Sequence, residues 1–97
     1  MFLSWFDAKD AKQFGESLAR FYMERISPDE ATDKKELIKR KEALGKIFQQ
    51  LARYRLEHKM NIYKQAQLGN VFKWTLKEAG YDPVYVDHLT TELMTLR

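Results

Sequence analysis

Residues 33–79 have the sequence DKKELIKRKEALGKIFQQLARYRLEHKMNIYKQAQLGNVFKWTLKEA, which contains neither a proline nor a turn-forming dipeptide. One uninterrupted helix over this stretch would be about 70 Å long, at ~1.5 Å per residue. A globular chain of 97 residues has a diameter of only roughly 30 Å. The stretch therefore predicts either a helix that breaks or a dimer in which long helices pair.

The apolar pattern of this stretch indicates where a break would fall. Continuing the apolar stripe places Arg55 and His58 on the face that should be buried. Asn61 is the only good helix-capping residue nearby. We therefore predict two long helices, over residues 33–58 and 61–79, with a bend around His58–Asn61. One continuous helix is the alternative.

Capping signals mark the ends of the N-terminal helices. Ser4 and Asp7 are the candidate caps of the first helix, because an acidic residue follows each of them three positions later. Ser27 and Pro28 end this helix, since proline cannot continue a helix across that point. The same two residues are typical of a helix start, so we expect a short helical turn at 28–32.

The clearest boundary in the chain follows residue 79. Gly80 suits the left-handed conformation that closes a helix, and Tyr81 can fold back onto the last turn. Asp82 then caps a C-terminal helix that has Pro83 at its first position. Together these boundaries predict an all-α fold, a small bundle of three to four helices that forms a single domain over residues 1–97.

Each predicted helix carries an apolar stripe that would face the core. The predicted core positions are Ala11, Phe14, Leu18, Phe21 and Tyr22, then Leu37, Leu44, Ile47, Phe48, Leu51 and Tyr54, then Ile62, Ala66, Gly69, Phe72 and Leu76, and finally Tyr85, Leu89, Leu93 and Leu96. A glycine within a helix costs about 1 kcal/mol relative to alanine, which close packing of a neighbouring helix can offset. We therefore expect close helix packing at Gly45 and Gly69. The segment 61–79 is apolar on more than one side, so we expect it at the centre of the bundle or in an oligomer contact.

Composition indicates a soluble globular protein. Apolar residues make up 44% of the chain and charged residues 32%, a balance that disordered chains do not show. The absence of cysteine excludes disulfides, a thiol nucleophile and cysteine-liganded metals. No stretch approaches the roughly 18 apolar residues of a membrane span, and the N-terminal residues do not resemble a secretory signal. We therefore expect a cytoplasmic protein.

Charge is segregated along the chain. Residues 34–77 carry twelve lysines or arginines against three glutamates, a net charge of +9, whereas residues 1–33 and residues 78–97 each carry −3. Either the acidic flanks cover the basic segment, or residues 34–59 form a basic surface that follows nucleic-acid phosphates. The outward residues of that surface, spaced by seven, are Lys39, Lys46 and Arg53.

The sequence shows no recognisable catalytic or metal-binding constellation. A catalytic zinc ion needs three protein ligands, and only Glu92 lies one helical turn from His88. We expect the other histidine, His58, to be half-buried and bonded to a backbone carbonyl. The serines do not form a G-x-S-x-G motif, and the isolated glycines do not form a phosphate-binding loop. We expect neither a cofactor nor enzymatic activity.

Large aromatic residues outside the main stripes must be covered or must act as contacts. Trp5 and Phe6 precede the first predicted helix. Tyr63 and Trp74 share a second face of the segment 61–79, about 120° from its core face. We therefore predict an interaction or assembly protein that binds a second copy of itself or another protein through these four residues. The alternative is a nucleic-acid-binding protein that uses the basic surface.

Overall fold

Helices make up nearly all of residues 8–95, the part of the chain that this computed structural model describes. The elements in chain order are α1 (Lys9–Arg25), α2 (Pro28–Ala31), a 3-10 turn (Lys34–Glu36), α3 (Leu37–Glu57), α4 (Ile62–Glu78) and α5 (Pro83–Thr95). These residues include no strand, which confirms the prediction of a small all-α bundle. None of the described helices is both long and apolar enough to cross a bilayer.

The long central segment breaks where the sequence predicts. Helix α3 ends at Glu57 and α4 begins at Ile62, so the continuous helix is excluded. Asn61 caps α4, because its side chain accepts a hydrogen bond of 2.8 Å from the backbone N–H of Lys64. The break allows the described chain to fold into a body of 48 × 24 × 20 Å.

Three other helix ends also follow their capping signals. Ser27 and Glu30 form a reciprocal capping box, in which the backbone N–H of each residue donates to the side chain of the other. Gly80 closes α4 with a φ of +96°. Asp82 accepts a backbone hydrogen bond of 2.9 Å at the start of α5. The predicted caps Ser4 and Asp7 lie outside the described residues.

Helix α4 is central, as expected, and packs on both α1 and α5. It approaches α1 closely at Gly15, where an added Cβ would lie only 2.5 Å from the carbonyl oxygen of Leu68. It approaches α5 at Gly69, where an added Cβ would lie 2.8 Å from the Sδ of Met94. The close approach predicted for Gly69 is therefore confirmed, and Gly15 provides a second one.

Helix α3 has a smaller interface with the rest of the fold. It packs on α1 through Ala43, Ile47 and Leu51, which are buried. Beside them the rings of Phe14 and Tyr54 stack with their centroids 4.1 Å apart. Contacts between α3 and the pair α4 and α5 are few, so the side of α3 that faces away from α1 is uncovered by the described chain.

Most predicted core positions are buried or half-buried, but four expectations are wrong. Leu37 is exposed because it is the first residue of α3 and precedes the part that packs on α1. Ile62 and Ala66 are exposed because the buried face of α4 is rotated towards Leu68, which is fully buried although the predicted stripe omitted it. Gly45 is not closely packed, since an added Cβ would meet no described atom within 4 Å. Leu96 lies outside the described residues.

Three tyrosines join α1 to the C-terminal part of the fold. Tyr81 is buried and donates its hydroxyl hydrogen to the carbonyl of Ile26. The hydroxyl oxygens of Tyr22 and Tyr85 lie 2.5 Å apart. Burial raises the pKa of Tyr22, with a further contribution from the bond to Tyr85, and burial also raises the pKa of Tyr81. The hydroxyls of Tyr22 and Tyr81 therefore stay protonated at neutral pH and connect α1 to the C-terminal part of the fold as hydrogen-bonding groups.

Candidate interaction site

The outward side of α4 carries the two aromatic residues that were predicted to lie there. Trp74 is 55% exposed, and Tyr63 is half-buried. They are eleven residues apart, which is close to three helical turns, so they project in nearly the same direction about 16 Å apart along the axis. Gln67 and Asn70 lie between them on the same line. We call Tyr63, Gln67, Asn70 and Trp74 the α4 face.

Two lysines lie beside the Trp74 ring. The ammonium groups of Lys73 and Lys77 are 5.6 Å and 5.2 Å from the ring centroid, which is within the range of cation–π attraction. Lys77 also forms an ion pair of 2.9 Å with Asp87 of α5. The hydrogen bond from Lys77 lowers the pKa of Asp87. These contacts restrain the indole while half of its surface remains exposed to water.

The other two predicted contact residues, Trp5 and Phe6, lie outside the described residues. The structure therefore brings together two of the four predicted contacts, Tyr63 and Trp74, and gives no placement for the others.

Exposed apolar side chains also occur where sequence reasoning did not expect a surface. On α3, Ile38 is 73% exposed and Leu56 is 89% exposed. Each is nine residues from the buried Ile47, or two and a half turns, so both lie on the side of α3 opposite the core. That spacing was visible in the sequence. The signal was missed because neither residue belongs to the predicted core stripe of this helix. Val84 of α5 is a third such residue.

The three residues predicted for the basic surface are all exposed on α3, but their surroundings differ. Lys39 forms an ion pair of 2.5 Å with Glu30 of α2, and this bond is the main cause that lowers the pKa of Glu30 to about 2. Nearby, Arg40 donates a hydrogen bond of 3.0 Å to the backbone carbonyl of Glu30. Lys46 and Arg53 form no ion pair with any described residue.

The acidic flanks cover the basic segment 34–77 only in part. Within residues 8–95, two ion pairs link this segment to the flanks, Lys39 with Glu30 and Lys77 with Asp87. Both basic partners lie near one end of their helix. In the middle of α3, Lys46 and Arg53 form no ion pair with residues 8–95, and Glu24 and Glu42 line the same surface depression as Lys46.

The two histidines lie in different surroundings. The ring of His58 stacks on Tyr54 with centroids 4.2 Å apart, and its Nδ1 is 3.2 Å from the Tyr54 carbonyl oxygen. The predicted bond to a backbone carbonyl is therefore confirmed, but His58 is exposed and not half-buried. His88 and Glu92 are both exposed on α5. Residues 8–95 contain no group of three or more side chains arranged to hold a metal ion.

Two surfaces of the described chain thus combine exposed apolar side chains with positive charge, the α4 face around Trp74 and the outward side of α3. They lie on helices that have little contact with each other. No protein-family model, curated protein or solved structure matches this chain.

Proposed function

We propose that this protein is a non-enzymatic interaction module that self-associates through the α4 face. The observation that supports this function is the exposure of Trp74, which is 55% accessible at the C-terminal end of the α4 face. Tryptophan and tyrosine are enriched among the residues that dominate binding energy at protein interfaces. A tryptophan that the described chain leaves in water is therefore a good anchor for a second molecule.

The α4 face is suited to pairing with a second copy of itself. Its four residues follow the spacing four, three, four, which is symmetric about a point between Leu68 and Gly69. A two-fold axis through that point would pair two α4 helices in antiparallel orientation. Tyr63 of each copy would then lie opposite Trp74 of the other, with the amide side chains in between. Such an interface is isologous, the usual arrangement in homodimers.

The charged residues beside the α4 face are compatible with this pairing. Lys64 and Lys73 are nine residues apart and therefore lie on opposite flanks of the helix, about 180° from each other. In the antiparallel pair, Lys73 of one copy and Lys64 of the other copy would lie on opposite flanks of the interface, so they would not meet. Lys77 is already neutralised in part by Asp87. Like charges are thus not brought together at the centre of the interface.

Self-association can be tested by size-exclusion chromatography with light scattering over a range of concentrations. We expect Trp74→Ala to weaken dimerisation about 1000-fold, because the variant loses one anchor worth ~2 kcal/mol from each of the two copies. Trp5→Ala is expected to weaken it less. Ile62→Ala is the matched control, because Ile62 is 87% exposed on the same helix but points about 120° away from Trp74.

Two results would contradict the proposed function. The first is a wild-type chain that stays strictly monomeric at millimolar concentration. The second is equal weakening by Ile62→Ala and Trp74→Ala, which would place the contact away from the α4 face.

Nucleic-acid binding through the basic surface is the second candidate function. Its support is that Lys46 and Arg53 are exposed on one side of α3 without an ion pair to any described residue. Binding of this kind would weaken steeply as salt rises. It would weaken further in a variant with Lys39, Lys46 and Arg53 all changed to Glu. This candidate has less support, because Lys39 is already paired with Glu30.

A further inference from the structure

The outward side of α3 has a regular pattern that residues 8–95 leave exposed. Six exposed residues follow the spacing four, three, four, three, four along the helix: Ile38, Glu42, Gly45, Gln49, Ala52 and Leu56. This is the heptad spacing by which one helix contacts another. We call these six residues the α3 seam. It runs from Ile38 to Leu56, which are about 27 Å apart along the helix axis.

Gly45, near the middle of the α3 seam, indicates that a second helix packs there. A glycine inside a helix costs about 1 kcal/mol relative to alanine. The other two glycines inside the described helices, Gly15 and Gly69, are explained by close neighbours, the backbone of Leu68 and the side chain of Met94. Gly45 has no described atom within 4 Å of an added Cβ. Within residues 8–95 nothing makes use of its small size, which would suit the close approach of a helix from a second molecule.

The ends of the α3 seam would supply the apolar anchors for such a molecule. Ile38 and Leu56 are 73% and 89% exposed, and they lie five helical turns apart on the same side of α3. Between them Gly45 and Ala52 leave a shallow stretch into which larger side chains of a partner helix would fit. Large residues at the ends and small residues in the middle favour a straight helix lying along α3.

The charged residues beside the α3 seam determine which kind of partner helix would bind. Lys39, Lys46 and Arg53 lie along one edge of the α3 seam, and Lys41 lies along the other. Only Lys39 among them has an ion pair with a described residue. Glu42 within the α3 seam offsets part of this charge, so that the surface keeps a net positive charge. A second copy of the same surface would bring like charges together, which is unfavourable. A helix with apolar residues at heptad spacing and carboxylates on both flanks would pair with these cations.

We infer that the α3 seam binds an acidic amphipathic helix of a partner protein. A nucleic acid fits this surface less well, because phosphates gain nothing from Ile38, Leu56 or a glycine at position 45. The α3 seam lies on a different helix from the α4 face, so its occupation does not require self-association. A chain with both surfaces would join its own copies to an acidic partner.

The binding test uses the full-length chain and a fluorescently labelled synthetic peptide of 21 residues, the length of α3. The peptide carries leucine at heptad positions a and d and glutamate at e and g. Its anisotropy is expected to rise on titration with wild-type protein. Gly45→Gln should weaken binding about tenfold or more, because a long side chain then blocks the close approach. This variant should fold, since position 45 is open to solvent.

A pair of matched charge reversals tests the electrostatic part of the inference. Lys46→Glu at the edge of the α3 seam should weaken peptide binding about tenfold. Lys12→Glu, an equally exposed lysine on α1, changes the net charge by the same amount and should have little effect. Circular dichroism of each variant confirms that the fold is retained.

Several outcomes would overturn the inference. Absence of peptide binding, or binding that Gly45→Gln leaves unchanged, would show that the α3 seam is not the docking surface. Concentration-dependent dimerisation that Gly45→Gln abolishes would assign the surface to a second copy. Binding to duplex DNA or single-stranded RNA that Lys46→Glu weakens and Gly45→Gln does not would assign it to nucleic acid.

Discussion

Gly15 and Gly45 lie near the middle of two long helices and have opposite surroundings. A Cβ at Gly15 would lie 2.5 Å from the backbone of Leu68, whereas a Cβ at Gly45 would meet no described atom within 4 Å. Both glycines cost helix stability. At Gly15 this cost is offset by the close approach of α4. At Gly45 nothing within the described chain offsets it. Helix α1 thus has a close neighbour at Gly15 within the described chain, whereas α3 has none there at Gly45.

The largest expected effect on stability is that of Gly15→Ala. The new methyl group would collide with the Leu68 carbonyl, and backbone cannot move aside as a flexible side chain can. Overpacking of this kind typically costs about 1–3 kcal/mol. We therefore expect a lower urea midpoint and an unchanged slope in equilibrium unfolding followed by circular dichroism.

Gly69→Ala is the matched control for Gly15→Ala. The added Cβ there would meet the side chain of Met94, and methionine adapts readily to a changed space. The loss of stability should therefore be clearly smaller. Equal losses in the two variants would show that α1 and α4 do not approach each other as closely as the structure has them.

We expect Gly45→Ala to raise the stability of the fold, whereas Gly15→Ala lowers it. Alanine favours a helix by about 1 kcal/mol over glycine, and the site has room for the methyl group. The melting temperature of the dilute protein should rise by roughly 4–8 °C. Ala52→Gly, on the same side of α3, should lower it by a similar amount. A decrease with Gly45→Ala would mean that position 45 is covered within the free chain.

The helix boundaries could be predicted because they depend on local chemistry. Asn61, Gly80 and Asp82 act on backbone groups within a few residues of themselves. The break between α3 and α4 also followed from length, since an unbroken helix would not fit a globule of this size. Neither inference required knowledge of which helices touch.

The faces of the helices were harder to predict, because they depend on the positions of neighbours. Several apolar residues of α4 are compatible with two buried faces, and only the packing on α1 selects Leu68 over Ile62. The exposed contact residues were hard to predict for the same reason, because exposure also depends on where the neighbouring helices lie. Trp74 stood out by its size and position, whereas Ile38 had no visible significance until the outward side of α3 was known.

The smallest expected effect concerns the ion pair that attaches the start of α3 to α2. The hydrogen bond from Lys39 is the main cause that lowers the pKa of Glu30 from 4.5 to about 2. Because the folded-state pKa lies below the value in the unfolded chain, the pair stabilises the fold at pH values above the unfolded-state pKa. This contribution is lost as the pH falls towards the folded-state value. Both groups lie at the surface, so the effect on global stability should be slight.

An NMR titration of the Glu30 side chain measures this coupling directly. The midpoint should lie near 2 in the wild type and closer to 4.5 in Lys39→Gln, because the main cause of the shift is then removed. Lys41→Gln, a neighbouring exposed lysine without a described bond to Glu30, should leave the midpoint unchanged. Equal midpoints in all three proteins would contradict the ion pair between Lys39 and Glu30. The start of α3 would then be attached to α2 through the backbone hydrogen bond of Arg40 and not through Lys39.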